Sequence, residues 1–448
     1  MMKNISVIET HQASGKYWKC DSSYKDAGDA GEMKVVSIYP EEKETTIRGF
    51  GGAFTEAAAH TYKCFGEETG KRLIADLFGQ EGLRYNIGRI HMNSCDFALG
   101  NYTYVEEGDE SLDSFNISHD EEEIIPMIKA AEKELGKPLV LLMAPWSPPP
   151  YMKTNGEMNH GGKLKEEYKD LWAEYYARFI QEYKKRGIDI SFTSIQNEPN
   201  ATQTWDSCRY DADEEAEFAI DHLAPALKKA GLFEDVKILV WDHNKEIAYD
   251  RFSQIMKKDG AQEAIFGCAV HWYTGDHFEN LGLLRKHYPD KEIFFTEGCV
   301  EYSRFSGEGD IHNAEMYAHQ MLGNLKGGIT AIFDWNLLVD YKGGPNHVEN
   351  YCDAPIKSNE AGDDYEKKLS FYYVGHFSRY IKEGARLVWT SGYTDGAESV
   401  AFVNPDGERV VVLLNRTDKD LPVNLKEGES SLRLELKAHS IQTVTYYN

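Results

Sequence analysis

The strongest constraint is a rhythm. From about residue 45 to 380, short β-rich segments alternate with longer helical ones, and the strand segments number eight: Thr46–Gly51, Leu83–Arg89, Leu139–Ala144, Ser191–Gln196, Val236–Trp241, Ala264–His271, Glu292–Thr296 and Gly328–Trp335. The intervening stretches carry helix-period apolar faces. Tyr168–Arg186 places Leu171, Trp172, Tyr175, Phe179, Ile180 and Tyr183 on one side, and Asp213–Lys229 runs from an Asp N-cap toward Gly231 as its C′ residue. Eight strand–helix units over some 330 residues predict an α/β fold, a (β/α)8 barrel with enlarged loops. After residue 385 the texture becomes short alternating strands between turn residues: Arg386–Trp389, Ser399–Val403, Arg409–Asn415, Ser431–Glu435 and Gln442–Tyr446. These predict a small antiparallel β domain, which the N-terminal piece Glu32–Tyr39 can join. The expected division is 1–45 for N-terminal strands, 46–382 for the barrel and 383–448 for the C-terminal β region.

Charge narrows the partners. The 448 residues carry a formal net charge of −25, which argues against nucleic acid or an anionic membrane as the main partner. A neutral ligand such as a sugar is indifferent to that charge. No apolar window reaches the ~18 residues of a membrane span. The polar start MMKNISVIETHQASGKYWKC has no apolar run of signal-peptide length, so a cytoplasmic location is expected. The seven cysteines are scattered, form no CxxC, and read as small buried hydrophobes.

Chemistry concentrates where strands end. In a barrel of this type, functional side chains sit at the C-terminal strand ends. The fourth strand runs into Asn197-Glu198-Pro199, and the seventh delivers Glu297 in Thr296-Glu297-Gly298. Two carboxylates facing one cavity are what glycoside hydrolysis needs, one protonated to assist the leaving oxygen and one ionised to attack or to activate water. Their mutual repulsion and burial would push their pKa values apart. Aromatic residues follow the same strand ends: Trp146 in a proline-stiffened run, Trp272 and Tyr273, Trp335, and Trp205 beyond the Glu198 strand. Aromatic faces stack on sugar C–H surfaces, while Asn, Asp, His and Arg hold hydroxyls.

Other chemistries fit less well. His271 and His277 lack paired metal-ligand spacing, so no metal and no cofactor are expected. Gly49-Phe50-Gly51-Gly52-Ala53-Phe54 lacks both nucleotide-binding glycine patterns and reads as tight packing at a strand end. No GxSxG occurs.

The ordered runs GFGGAFTEA (49–57), YNIGR (85–89), SCDF (94–97), APWSPP (144–149), NEP (197–199), HWY (271–273), TEGC (296–299), DWNL (334–337), GGPN (343–346) and GHFS (375–378) together resemble glycoside hydrolase family 30. The resemblance implies a barrel fused to a β-sandwich built from both chain termini, with Glu198 as acid/base and Glu297 as nucleophile of a retaining double displacement. It implies Arg89, Asp96, Trp146, Asn197, Tyr273, Trp335 and Asn346 around the sugar, with Trp205 and His347 on the aglycone side. The expected activity is that of a β-D-glucosidase of the glucosylceramidase type. Endo-β-1,6-glucanase, β-xylosidase or β-fucosidase activity is the alternative within the family, and non-catalytic sugar binding the alternative outside it. His347 and the loop after Glu198 depart from the family pattern, which leaves the aglycone open. The oligomeric state is not legible.

Overall fold

A computed structural model describes residues 2–21, 24–26, 34–305 and 308–448. Eight parallel strands close into a barrel: β1 (Gly49–Ala53), β2 (Ile87–Met92), β3 (Val140–Pro145), β4 (Ile190–Ser194), β5 (Lys237–Asn244), β6 (Ile265–His271), β7 (Glu292–Glu297) and β8 (Ala331–Asn336). β8 pairs with β1, so no edge strand remains. Each lies within a few residues of its sequence-read segment. Ile87, Leu142, Phe192, Leu239, Phe294 and Phe333 fill the barrel interior, so it is a packed core rather than a pore. The glycine-rich start is explained by close approach. A Cβ on Gly51 would collide with the Ile87 carbonyl of the neighbouring strand.

The helix Lys169–Lys185 buries Trp172, Tyr175, Tyr176, Phe179, Ile180 and Tyr183 against the barrel. Each such aromatic contributes about 2 kcal/mol by leaving water. The next helical stretch differs from the continuous helix expected. Asp211 caps it at Ala212 in a capping box with Glu214, and the chain widens into a π-helical turn at Phe218–Leu223 before Ala224–Lys229. Pro225 supplies the reason, because it has no N–H for the regular i→i−4 bond.

Ile356–Ser358 and Tyr365–Lys367 pair as a two-stranded sheet, and the other described strands form a ten-stranded sheet, four from the N-terminus and six from the C-terminus, that wraps around its own apolar core of residues such as Val36, Val411, Leu425 and Val444. It departs from expectation in three ways. Leu421–Glu427 is an additional strand, with every second residue buried. That strand pairs in parallel with Val35–Thr46, so the sheet is not antiparallel throughout. The N-terminal piece expected from Glu32 is the strand Val35–Thr46, and Glu32 and Met33 lie outside the described residues. Sheet and barrel share a seam. His376, on the barrel's last helix, bonds Thr443 Oγ1 (2.8 Å) and Thr10 Oγ1 (2.9 Å), and Trp18 Nε1 donates to the Tyr372 carbonyl (2.7 Å). Five cysteines are buried; Cys20 and Cys64 are exposed, against the reading of all seven as interior hydrophobes.

Candidate active site

A compact cavity of about 150 Å³ opens at the C-terminal ends of the barrel strands. β7 ends on Glu297 itself. Glu198 follows β4 by four residues, and its backbone is held in the left-handed region (φ 49°), which turns its side chain out of the strand path. The amide of Asn197 donates to the Pro145 carbonyl and that of Glu198 to the Asp242 carbonyl, so this short loop is braced from both sides. Such strained backbone at a cavity wall needs support from its surroundings. Both glutamates line the cavity. One oxygen of each carboxylate and one ring nitrogen of His271 lie within 4.8 Å of one another.

Arg89 sits beneath them, wholly buried on β2. Nη1 donates to Glu297 Oε2 (2.5 Å), and Nη2 donates to Asn197 Oδ1 (2.8 Å) and Asp242 Oδ2 (3.0 Å). Its guanidinium lies over Trp146 and Trp335, which stack on each other at 5.3 Å and 25°. Tyr273 Oη donates to the other Glu297 oxygen (2.8 Å). Each Glu297 oxygen thus accepts one hydrogen bond, which offsets part of the cost of burying the charge pair, while Arg89 Nε is left without a partner among the described residues.

The acid side is organised differently. His271 ends β6, with Nδ1 3.1 Å from Glu198 Oε1 and Nε2 3.1 Å from Asp242 Oδ1. Burial opposes ionisation of Glu198, but the imidazoles of His243 and His271 outweigh it and hold its carboxyl below the usual range. Burial likewise opposes the charge on Asp242. Arg89 and the hydrogen bonds from His271 and Ser194 overcome it and hold this carboxyl low. For Asp96, burial and the Glu297 charge act together and raise it to about 7.

Glu198, His271 and Glu297 are close enough to be weighed as cation ligands. Both His271 nitrogens are taken by carboxylates, so the ring has no lone pair aimed at the space between the glutamates.

Of the residues expected around the sugar, Asp96, Trp146, Asn197, Tyr273 and Trp335 line the cavity, and Trp205 closes its side. Arg89 touches Glu297 from below. Asn346 and His347 do not line it. The Asn346 side chain donates to Asp96 Oδ2 (3.2 Å), and His347 turns its ring to Asp206 (3.3 Å). Asn350, four residues past Asn346, takes the lining place and also donates to Asp96 (3.2 Å). Trp272 points away, packing on Phe295 and Tyr317. The sequence reading passed over Asp242, His243 and Asn350. Asp242 and His243 follow directly on the segment read as Val236–Trp241, so the strand-end rule could have found them. Asn350 sits in an irregular loop with no such signal.

Paired acidic side chains at the fourth and seventh strand ends of a barrel, walled by stacked tryptophans, place the protein among the glycoside hydrolases. Comparison with known proteins narrows this. The family model "Glycosyl hydrolase family 30 TIM-barrel domain" matches residues 47–381, and "Glycosyl hydrolase family 30 beta sandwich domain" matches residues 384–444. The chain belongs to glycoside hydrolase family 30. It is 32% identical over 422 residues to lysosomal acid glucosylceramidase of Mus musculus, covering 90% of this chain and 81% of that one. It is 27% identical to endo-1,6-beta-D-glucanase of Neurospora crassa, covering 88% and 84%. Among solved structures, SrfJ from Salmonella typhimurium is 36% identical with a TM-score of 0.95, covering 99% of this chain and all of that one.

Proposed function

We propose that the protein is a retaining β-D-glucosidase of the glucosylceramidase type, with Glu297 as nucleophile and Glu198 as acid/base. The observation that carries this reading is the approach of one oxygen from each carboxylate to within 4.8 Å across one cavity. Direct attack requires carboxyl groups about 5–5.5 Å apart, whereas activation of an intervening water requires about 6.5–9.5 Å. Arg89 and Tyr273 hold Glu297 from two sides, which orients one oxygen for attack on the anomeric carbon.

In the first step Glu297 bonds to that carbon while Glu198 gives a proton to the departing oxygen. In the second, Glu198 takes a proton from water as the water displaces Glu297. Asn197 stands beside both carboxylates, where a sugar hydroxyl next to the anomeric carbon would lie, and Asp96 with its two asparagines offers a second hydroxyl site. The glucosidase reading takes its sugar from the similarity to the mouse glucosylceramidase and to Caenorhabditis elegans proteins named putative glucosylceramidases. The Neurospora relative makes β-1,6-glucan the competing substrate.

The test is a panel of aryl β-D-glucoside, β-D-xyloside, β-D-fucoside, glucosylceramide and β-1,6-glucan, with proton NMR of the first sugar released. Fast release of β-glucose from the glucosides and from glucosylceramide is expected. First-formed α-glucose would exclude double displacement, and cleavage of β-1,6-glucan alone would shift the assignment to the glucanase.

A further inference from the structure

The proposed roles leave His271 and Asp242 without a task, although both are fully buried at the heart of the site. His271 stands between two carboxylates, Glu198 at Nδ1 and Asp242 at Nε2, each 3.1 Å away. An ionised carboxylate only accepts hydrogen bonds, so each contact must hold a proton. Two contacts therefore share two protons among three groups. Asp242 is the group the surroundings keep ionised, since it also accepts from Arg89 Nη2 (3.0 Å), Ser194 Oγ (2.5 Å) and Thr296 Oγ1 (2.6 Å). The Nε2 hydrogen of His271 is thereby pinned. The second proton has only the line between Nδ1 and Glu198 Oε1 to occupy.

We propose that His271, oriented by Asp242, stores the proton that Glu198 delivers to the leaving oxygen. The proposal rests on Glu198 being the acid/base. His271 is a positioning residue, because it acts only through Glu198.

In the free enzyme the proton sits on Nδ1 and Glu198 is a carboxylate. When a bound glycoside covers Glu198 and excludes water, the proton passes from Nδ1 to Oε1, leaving a neutral imidazole still bonded through Nε2–H to Asp242. The Glu198 proton then moves to the glycosidic oxygen as its bond to the anomeric carbon breaks and the bond to Glu297 forms. In the second step Glu198 takes a proton from the attacking water as the Glu297 ester bond breaks, and that proton returns to Nδ1. Atoms and charge balance over the cycle.

The groups facing His271 agree with this. Burial disfavours the imidazolium, but the Glu297 charge and the bonds to Asp242 and Glu198 prevail and raise it to about 9. Arg89 lies beyond Asp242, on the other side of that carboxylate. The rings of His243 and Tyr273 stand edge-on at 6.4 and 6.1 Å, and burial pushes His243 down.

The test compares wild type, His271→Gln and Glu198→Ala on octyl β-D-glucoside, which needs leaving-group protonation, and 2,4-dinitrophenyl β-D-glucoside, which does not. For wild type, the alkaline limb of kcat/KM on the octyl glucoside is expected near pH 9. In His271→Gln that limb drops into the carboxylic-acid range, so octyl activity at pH 8 relative to pH 5.5 falls about tenfold or more. The dinitrophenyl profile keeps its shape, and reading both substrates on one sample cancels any unfolded fraction. An unmoved limb, or a loss equal on both substrates at every pH, would overturn the proposal. So would a wild-type limb near pH 6, a result that needs no variant to fold. Glu198→Ala separates the two layers. If it leaves the octyl-to-dinitrophenyl ratio unchanged, the acid/base reading itself falls. If it collapses the ratio while His271→Gln leaves the limb in place, only the storage role falls.

Discussion

Arg89 shows how single side chains set the site. Its guanidinium ties Glu297, Asn197 and Asp242 together with no solvent contact, so its loss strands two buried carboxylates. Arg89→Met is expected to cost about 3–5 kcal/mol of stability, read as a lowered denaturation midpoint in urea. A cost under about 1 kcal/mol would mean that the pair is relaxed by water. Glu198→Ala is expected to lower kcat/KM on alkyl glucosides by about 10²–10⁴ while sparing kcat/KM on dinitrophenyl glucoside; kcat on the activated substrate falls because no base deprotonates the water that displaces Glu297, and added azide should restore that turnover. Steady-state rates on the two substrates check this directly. At this scale the sequence disclosed the two glutamates, because an apolar strand that runs into a carboxylate at a barrel's C-terminal end has few structural uses. It did not disclose that Asn346 backs Asp96 while Asn350 reaches the cavity, since that choice depends on the path of an irregular loop.

Elements carry their own signals. The helix starting at Ala212 begins with Asp211, whose side chain accepts from the amides of Asp213 and Glu214 while Glu214 reaches back to the Asp211 amide. Asp211→Ala should lower stability by about 0.5–2 kcal/mol with unchanged kcat, measurable by thermal unfolding. The eight barrel strands were legible because each is a short apolar run between helical faces of a different period. The strand Leu421–Glu427 was not, because Pro422 within it argues against a strand even though Leu421, Val423 and Leu425 alternate with polar residues; pairing with Ser430–Leu436 along its length and with Val35, Val36 and Ser37 sets it in the sheet. The π turn was hidden too, since it answers to the geometry around Pro225 rather than to a periodic pattern.

The whole molecule is joined by a seam in which polar groups are buried. His376 is enclosed between Thr10 from the N-terminal strands and Thr443 from the C-terminal ones, and burial with the nearby Arg379 charge lowers it to about 3. Its folded value lies below the unfolded value of about 6.5. The stability it contributes is therefore complete above pH 6.5 and is lost as pH falls toward 3, at up to about 1.4 kcal/mol per pH unit. Denaturant titrations from pH 7 to 4 should show this acid slope, and His376→Gln should flatten it. A slope identical in the variant would assign acid sensitivity elsewhere. Barrel and sheet were legible as textures, but the seam was not, because its partners come from opposite chain ends and meet only in three dimensions.

The proposed double displacement requires Glu297 to bond to the anomeric carbon. The most direct measurement is mass spectrometry of peptides from protein inactivated with 2,4-dinitrophenyl 2-deoxy-2-fluoro-β-D-glucoside, which slows release of a covalent sugar. One fluoroglucosyl group on Glu297, with one equivalent of dinitrophenol released per site, is the predicted result. A label on any other residue, or steady hydrolysis with no covalent adduct, would contradict it.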